Sequence, residues 1–172
     1  RIFSYSNPLG SPKIDRKEEQ GMSFAELYKR KLMTAEEAVR KIHSHDEIVV
    51  AVAASEPPGL LSKLHTVKDQ VEDVSVVMVL PLGEYDYYMK PEMKGHFMLN
   101  AWYYGGGCRK VIGQGTVAYN PTHLHKKKKK QIDVKNPRIF FGTAAPMDKN
   151  GCLNLSLGIM VEKDAIENAD LV

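Results

Sequence analysis

Cysteine is scarce in this 172-residue chain: Cys108 and Cys152 lie far apart, each preceded by glycine. With no Cys-x-x-Cys pair and no histidine at ligand spacing, neither a disulfide framework nor a zinc site is indicated. Two buried thiols in a reducing compartment are expected instead. The histidines (His43, His45, His65, His96, His123, His125) form no His-Glu-x-x-His signature, so no metal is expected. Gly-x-Gly-x-x-Gly and a Walker lysine are both missing, which removes dinucleotide and ATP binding through those loops. No apolar run approaches the roughly 18 residues that span a bilayer. The longest, Ile48 to Ala54 and Val74 to Leu82, are strand-sized, and no membrane partner is expected. There is no internal repeat, no pair of carboxylates and no Ser/His/Asp order that stands out as a catalytic set.

What is present describes an ordinary globular protein, 43% hydrophobic and 26% charged. At this length it holds one domain with a sizeable core and some tail. Net charge is +3, with much of the excess in the run Lys126 to Lys130. A nucleic-acid binder would show a broader basic face interleaved with aromatics, so no nucleic-acid partner is expected. The run reads as a solvated helix face, with a polyanion site as the alternative.

Residues 1–21 carry Ser, Pro, Gly and charge without apolar periodicity and read as an extended arm. Met22 stands where the ordered domain, 22–172, is expected to begin. The arm is either an expression-vector remnant before a native start at Met22 or the end of a mitochondrial leader. Arg1-Ile2-Phe3-Ser4 resembles a matrix processing site, which favours the mitochondrial matrix over the cytoplasm.

Phe24, Leu27 and Tyr28 predict a short helix. Thr34 and Glu37 form a capping box, with Ala38, Val39 and Ile42 as the inward stripe of the helix it starts. Glu47 to Ala54 reads as a central parallel strand because its apolar run is nearly continuous. It ends in Ser55-Glu56-Pro57-Pro58-Gly59, and Leu60, Leu61, Leu64 and Val67 continue at helical spacing with proline in the first turn. Val74 to Leu80, Thr116 to Tyr119 and Arg138 to Thr143 are further strands. Between them lie a long segment from Pro81 to Gly115 and a basic helix around Leu124 to Ile132. Gly151 to Leu157 reads as a hairpin or edge strand, Val161 to Ala169 as a helix, and Asp170 to Val172 as the first residues of another strand. The fold class expected is α/β, an open, mostly parallel sheet covered by helices on both faces. A chain that stops at the start of a strand looks cut.

Three segments are candidates for a site. In open α/β sheets ligands bind beyond the carboxyl ends of strands. A small-residue turn such as Ala54 to Gly59 can bring backbone N–H groups to a carboxylate or thioester oxygen there. The plain alternative is a βα connection with Glu56 favoured by the helix dipole. The stretch Ala144 to Gly158 contains Asp148-x-x-Gly151, a reverse turn with glycine at positive φ. It follows the strand Arg138 to Thr143, hence the same sheet edge, and is otherwise a structural hairpin. His96 to Lys110 is an aromatic run breaking into Gly105-Gly106-Gly107. It reads as a bend over a pocket, with Arg109 near the start of the next helix, or else as a packed aromatic patch.

Taken together these pieces resemble the acetyl-CoA hydrolase/transferase family, which includes acetate, succinate and 4-hydroxybutyrate CoA-transferases. The matching stretches are Tyr28-Lys29-x-Lys31-Leu32-x-Thr34-Ala35-Glu36-Glu37-Ala38, Ser55-Glu56-Pro57 after a buried strand, Phe97 to Arg109, and Ala145-Pro146-Met147-Asp148-x-x-Gly151. Their order covers nearly all of Ser23 to Val172 and corresponds to the amino-terminal domain. The resemblance implies a two-domain, ping-pong enzyme with similar α/β halves. A glutamate attacks the acyl-CoA thioester, CoA passes through a glutamyl thioester, and a carboxylate acceptor leaves as the new acyl-CoA. That glutamate belongs to the family's carboxy-terminal domain, so no residue here inherits it, Glu56 included. By the resemblance, Ser55, Glu56, Pro57, Pro146, Met147, Asp148, Gly151, Trp102 and Gly105 line the acyl side of the cleft. No permanent cofactor is implied; the CoA thioester is substrate, and Lys126 to Lys130 become a candidate contact for a CoA phosphate. The sequence departs from the family at Val52, where some members carry histidine, and at Ala145, where several carry serine.

The expected function is therefore half of an acyl-CoA:carboxylate CoA-transferase, taking acetyl-CoA with succinate or a similar acid. Its expected partners are the acyl-CoA, the small carboxylate, its own carboxy-terminal domain and further copies in a homo-oligomer. The alternatives are an acetyl-CoA hydrolase, with water replacing the acceptor, and a non-catalytic CoA- or metabolite-binding module.

Overall fold

The apolar run after Glu47 supplies two cores at once, because successive side chains of a strand point to opposite faces. Ile48 and Val50 belong to one buried cluster, Val49 and Ala51 to another. The computed structural model describes residues 2–3, 22–126, 137–155, 157–158, 160 and 162–172. Among these, the strands are β1 (Ile2–Phe3), β2 (Leu32–Met33), β3 (Glu47–Val50), β4 (Val74–Met78), β5 (Phe97–Ala101), β6 (Val117–Tyr119) and β7 (Ile139–Phe141). The α-helices are α1 (Phe24–Lys31), α2 (Ala35–Val39), α3 (Pro58–Leu61), α4 (Asp86–Met89), α5 (Gly106–Lys110) and α6 (Glu162–Asn168). Helices of 3-10 type cover Ala53–Ser55, Leu64–Gln70, Pro91–Met93 and Leu124–Lys126.

Strands β3 to β7 form one sheet in the order β6-β5-β4-β3-β7, every neighbouring pair parallel. On one face Ile48, Val50, Val76, Met78, Leu99, Ile139 and Phe141 pack with Val39, Leu61, Leu64, Tyr87 and Tyr88. Burying each such side chain contributes roughly 1.5–3 kcal/mol. On the other face Val49, Ala51 and Phe140 meet Ala165 and Ala169 at α6. Among the described residues, helices thus pack on both faces, the second being covered at β3 and β7. At the amino edge the Arg138 guanidinium grips buried Asp46 and the Lys41 carbonyl, joining the starts of β3 and β7.

Local signals act as expected at α2: Glu37 N–H donates to the Thr34 hydroxyl (3.1 Å), and Thr34 N–H donates to the Glu37 carboxylate (2.7 Å). Ser23 and Glu26 repeat the device at α1. Some expectations need correction. The strand after Glu47 ends at Val50 rather than Ala54, because Ala53 takes φ 50° and the chain winds into a 3-10 turn. Phe97–Ala101, read as part of a long connection, is a full parallel strand. Residues 2–3 of the arm pair antiparallel with Leu32–Met33, while 4–21 lie outside the described residues. Of the two readings of 151–157, the edge strand does not form among the described residues, and the hairpin does, closed by backbone bonds Ala145–Asn154 and Asp148–Cys152. The basic helix is described only as the 3-10 turn Leu124–Lys126, and 127–136 lie outside the described residues. Leu171 makes an isolated parallel bridge with Ile139, at the place where a further strand was expected.

Candidate functional site

The strand order sets where a ligand can enter. The five-stranded sheet starts at β3, runs outward through β4, β5 and β6, and is completed by β7 on the other side of β3. Such a reversal opens a crevice outside the carboxyl ends of the two strands that flank it. Here those ends lead into the turn at 51–57 and the loop at 142–146.

The turn after β3 is rigid. Ser55 N–H donates to the Val52 carbonyl and Glu56 N–H to the Ala53 carbonyl, both at 3.0 Å. Ser55, Glu56 and Pro57 are buried, and Pro58 opens α3. The Glu56 carboxylate accepts from Gly83 N–H (2.8 Å), Leu82 N–H (3.2 Å) and the Tyr85 hydroxyl (2.9 Å). Burial, and then the Glu56 carboxylate itself, push the Tyr85 phenol far above its ordinary range, so this hydroxyl stays a donor. The Tyr88 hydroxyl donates to the Gly83 carbonyl at 2.7 Å. Gly83 is therefore held on both sides of its backbone, and the loop after β4 is fastened to the turn after β3.

The loop after β5 joins the same assembly. Trp102 and Tyr103 donate N–H bonds to the Met78 and Val79 carbonyls. The glycine run starts a helix. Gly105 is the N-cap of α5, and Gly106 and Gly107 form its first turn. A Cβ on Gly105 would lie 2.5 Å from the Pro81 carbonyl oxygen, and one on Gly107 would overlap the Tyr88 hydroxyl. Small residues let the loops after β4 and β5 touch. Arg109 falls in the last turn of α5, not near its start, and its Nε donates to the Tyr104 carbonyl.

Across the crevice the Thr143 hydroxyl donates to the Ser55 carbonyl at 3.1 Å, fastening the loop after β7 to the turn after β3. The chain then makes the hairpin loop expected from Asp148-x-x-Gly151. Ala145 N–H donates to the Asn154 carbonyl, and the Asp148 carboxylate accepts from Asn150 and Cys152 N–H. Gly151 has φ +81° and lies against the Phe24 ring. Pro146 and Asp148 are exposed, Met147 is half-buried, and the inner side of the loop is an open depression of about 620 Å³. The structure thus brings Ser55, Glu56 and Pro57 together with the loops after β4 and β7, whereas Trp102 and Gly105 attach to the loop after β4. Sequence reasoning missed Gly83, Tyr85, Tyr88 and Thr143. Only their place after strands could have signalled them.

One further correction concerns the thiols: Cys108 is buried but Cys152 is exposed, since it lies on the outer hairpin loop. Burial raises the Cys108 pKa, which lowers its reactivity further. Brief iodoacetamide treatment of the folded protein should alkylate Cys152 and spare Cys108, as read by peptide mapping. Equal labelling of both would contradict this burial. Among the described residues, no three His, Cys, Asp or Glu side chains converge as a metal site, and no helix is long and apolar enough to cross a membrane.

Comparison with known proteins matches residues 11–172 to the acetyl-CoA hydrolase/transferase N-terminal domain. The chain is 33% identical over 157 residues to a 4-hydroxybutyrate coenzyme A transferase of Clostridium kluyveri, covering 88% of this chain and 35% of that protein. It is 27% identical to a butyryl-CoA:acetate CoA-transferase of Anaerostipes caccae, covering 88% and 34%. Among solved structures, RipA from Yersinia pestis superposes with a TM-score of 0.68 at 25% identity, over 78% of this chain and 33% of that one. The chain spans about a third of the length of the curated relatives it matches.

Proposed function

From the premise that this chain belongs to the acetyl-CoA hydrolase/transferase family through its N-terminal domain, we propose that it forms half of an acyl-CoA:carboxylate CoA-transferase. The donor is acetyl-CoA and the acceptor is succinate or a similar acid. The nucleophilic glutamate comes from the carboxy-terminal domain, across the crevice between the ends of β3 and β7. The acyl group lies against the turn at Ser55 to Pro57, with Trp102 and Gly105 beyond it and Pro146, Met147, Asp148 and Gly151 on the opposite wall. The reading also carries a homo-oligomer in the mitochondrial matrix.

The observation that supports this reading best is the switch-point crevice, bracketed by a turn and a loop bonded through Thr143 and Ser55. Ligands of open α/β sheets enter at such a place. The chain contributes walls and orientation. Glu56 is committed to three donors of its own fold, which suits a support for the cleft and not the attacking group.

The test supplies acetyl-CoA and succinate to the full-length protein and to this chain alone, with succinyl-CoA followed by mass spectrometry. Acetate, butyrate and 4-hydroxybutyrate then serve as acids against the matching acyl-CoA donors. We expect acyl exchange from the full-length protein and none from this chain. Release of free CoA without exchange would make the protein a hydrolase. No turnover of any thioester would leave a binding module.

A further inference from the structure

We infer that Glu162, at the start of α6, is a positioning residue that aims the turn after β3; its consequence for turnover rests on the transferase reading above. Glu162 is 1% exposed, although most glutamates stay in water. Its Oε1 accepts Val52 N–H at 3.2 Å, and its Oε2 accepts Met160 N–H at 2.6 Å. One carboxylate therefore spans from the chain after β7 to the first residue of the turn after β3, on the crevice where strand order reverses.

What it holds is a strained element. Val52 precedes Ala53, a non-glycine residue at φ 50°. Such residues persist only where their surroundings over-determine them. The next bonds of the turn start from this point, since the Val52 carbonyl receives Ser55 N–H and the Ala53 carbonyl receives Glu56 N–H. Glu56 then fixes Leu82, Gly83 and Tyr85. The setting of Val52 is thus passed to two loops of the crevice. Gly158 permits the arrangement: a Cβ there would lie 3.3 Å from Glu162 Cγ and 3.4 Å from Ser55 Oγ.

Val52 and Met160 each present an N–H group, so these two contacts need two acceptors on one side chain. Glutamine has the right length but presents an amide NH₂ to one of them. The test compares wild type, Glu162→Gln, Glu162→Ala and the exposed control Lys163→Ala in the full-length protein. Hydrogen–deuterium exchange is read on peptides spanning 50–57 and 82–85, and kcat and KM are measured per folded molecule. In Glu162→Gln we expect faster exchange in both peptides, kcat lowered about tenfold and KM for acetyl-CoA within about twofold, as for a misaimed site. Lys163→Ala should match wild type.

Unchanged exchange in Glu162→Gln would overturn the inference. So would faster exchange with an unaltered kcat per folded molecule, which is the mark of a merely structural residue. Should wild type itself turn over no thioester, the transferase reading falls. Exchange alone then decides whether Glu162 holds the turn. If Glu162→Ala fails to fold, Glu162→Gln carries the comparison.

Discussion

Replacing Glu56 with alanine is expected to lower turnover by the full-length protein about 100-fold or more, while Glu56→Gln stays within about tenfold of wild type. The contrast follows from what the side chain touches. Alanine removes the acceptor for Gly83 N–H, Leu82 N–H and the buried Tyr85 hydroxyl together. A hydrogen bond to a charged group contributes roughly 1.5–3 kcal/mol, and buried donors left unmet add their desolvation cost. The variant should therefore lose about 3 kcal/mol or more of stability, and the loop after β4 should leave its place against the crevice. Glutamine keeps one oxygen, which at the Oε1 position still meets both Gly83 and Tyr85. Only the Leu82 bond, the longest of the three, faces an amide nitrogen instead. A carboxylate that attacks a thioester behaves differently, because an amide cannot replace it. If Glu56→Gln proves as inactive as Glu56→Ala while remaining folded, Glu56 takes part in the chemistry and its role as a clamp is wrong. Tyr85→Phe, which removes one donor and nothing else, should fall between wild type and alanine in stability. The readout is a thermal midpoint for each variant beside kcat and KM.

The parts of this fold that were legible in the sequence are those whose signal is local or doubled. Thr34 and Glu37 form their capping box within four residues, and the structure returns both bonds. Strands β3, β4 and β7 read clearly because burial on two faces removes polar interruptions. Strand β5 was not legible for the opposite reason. Met98 and Asn100 are half-exposed on a face that the described helices leave open, and the run ends in aromatics and glycines. Alternation over five residues resembles a packed patch as much as a strand. The candidate site was legible as a set of turns at one sheet edge, but not as a network. Glu56 meets partners 26 to 29 residues away, and Glu162 meets Val52 across 110 residues. Only the parallel order of strands brings such pairs together, and no spacing rule encodes it. For the same reason the Gly105 to Gly107 run was read for its backbone freedom, whereas its meaning lies in what approaches it from another loop.

That run makes the second prediction: Gly107→Ala and Gly105→Ala should each destabilise the protein by about 2 kcal/mol or more, and Gly106→Ala should stabilise it slightly. Conformation does not separate the three, since none takes positive φ. Space does. A methyl on Gly107 would strike the Tyr88 hydroxyl and come within 2.9 Å of Glu84 Cγ. Tyr88 is 1% exposed and holds the Gly83 carbonyl, so it cannot retreat without losing that bond. A methyl on Gly105 would meet the Pro81 carbonyl oxygen at 2.5 Å, and that oxygen is backbone of the neighbouring loop. Relief there requires the whole loop after β4 to move, and that loop also carries the donors to Glu56. Gly106, between them, has nothing within 4 Å of its added carbon. At the first turn of α5 alanine has only its better helix propensity to contribute, at most about 1 kcal/mol. Turnover should follow the same order, lost at 105 and 107 and kept at 106, as measured by thermal unfolding and acyl exchange on the full-length protein. Equal tolerance at all three positions would mean that the loops after β4 and β5 do not touch as described. Equal damage at all three would mean that the helix start itself, rather than the contact, requires glycine.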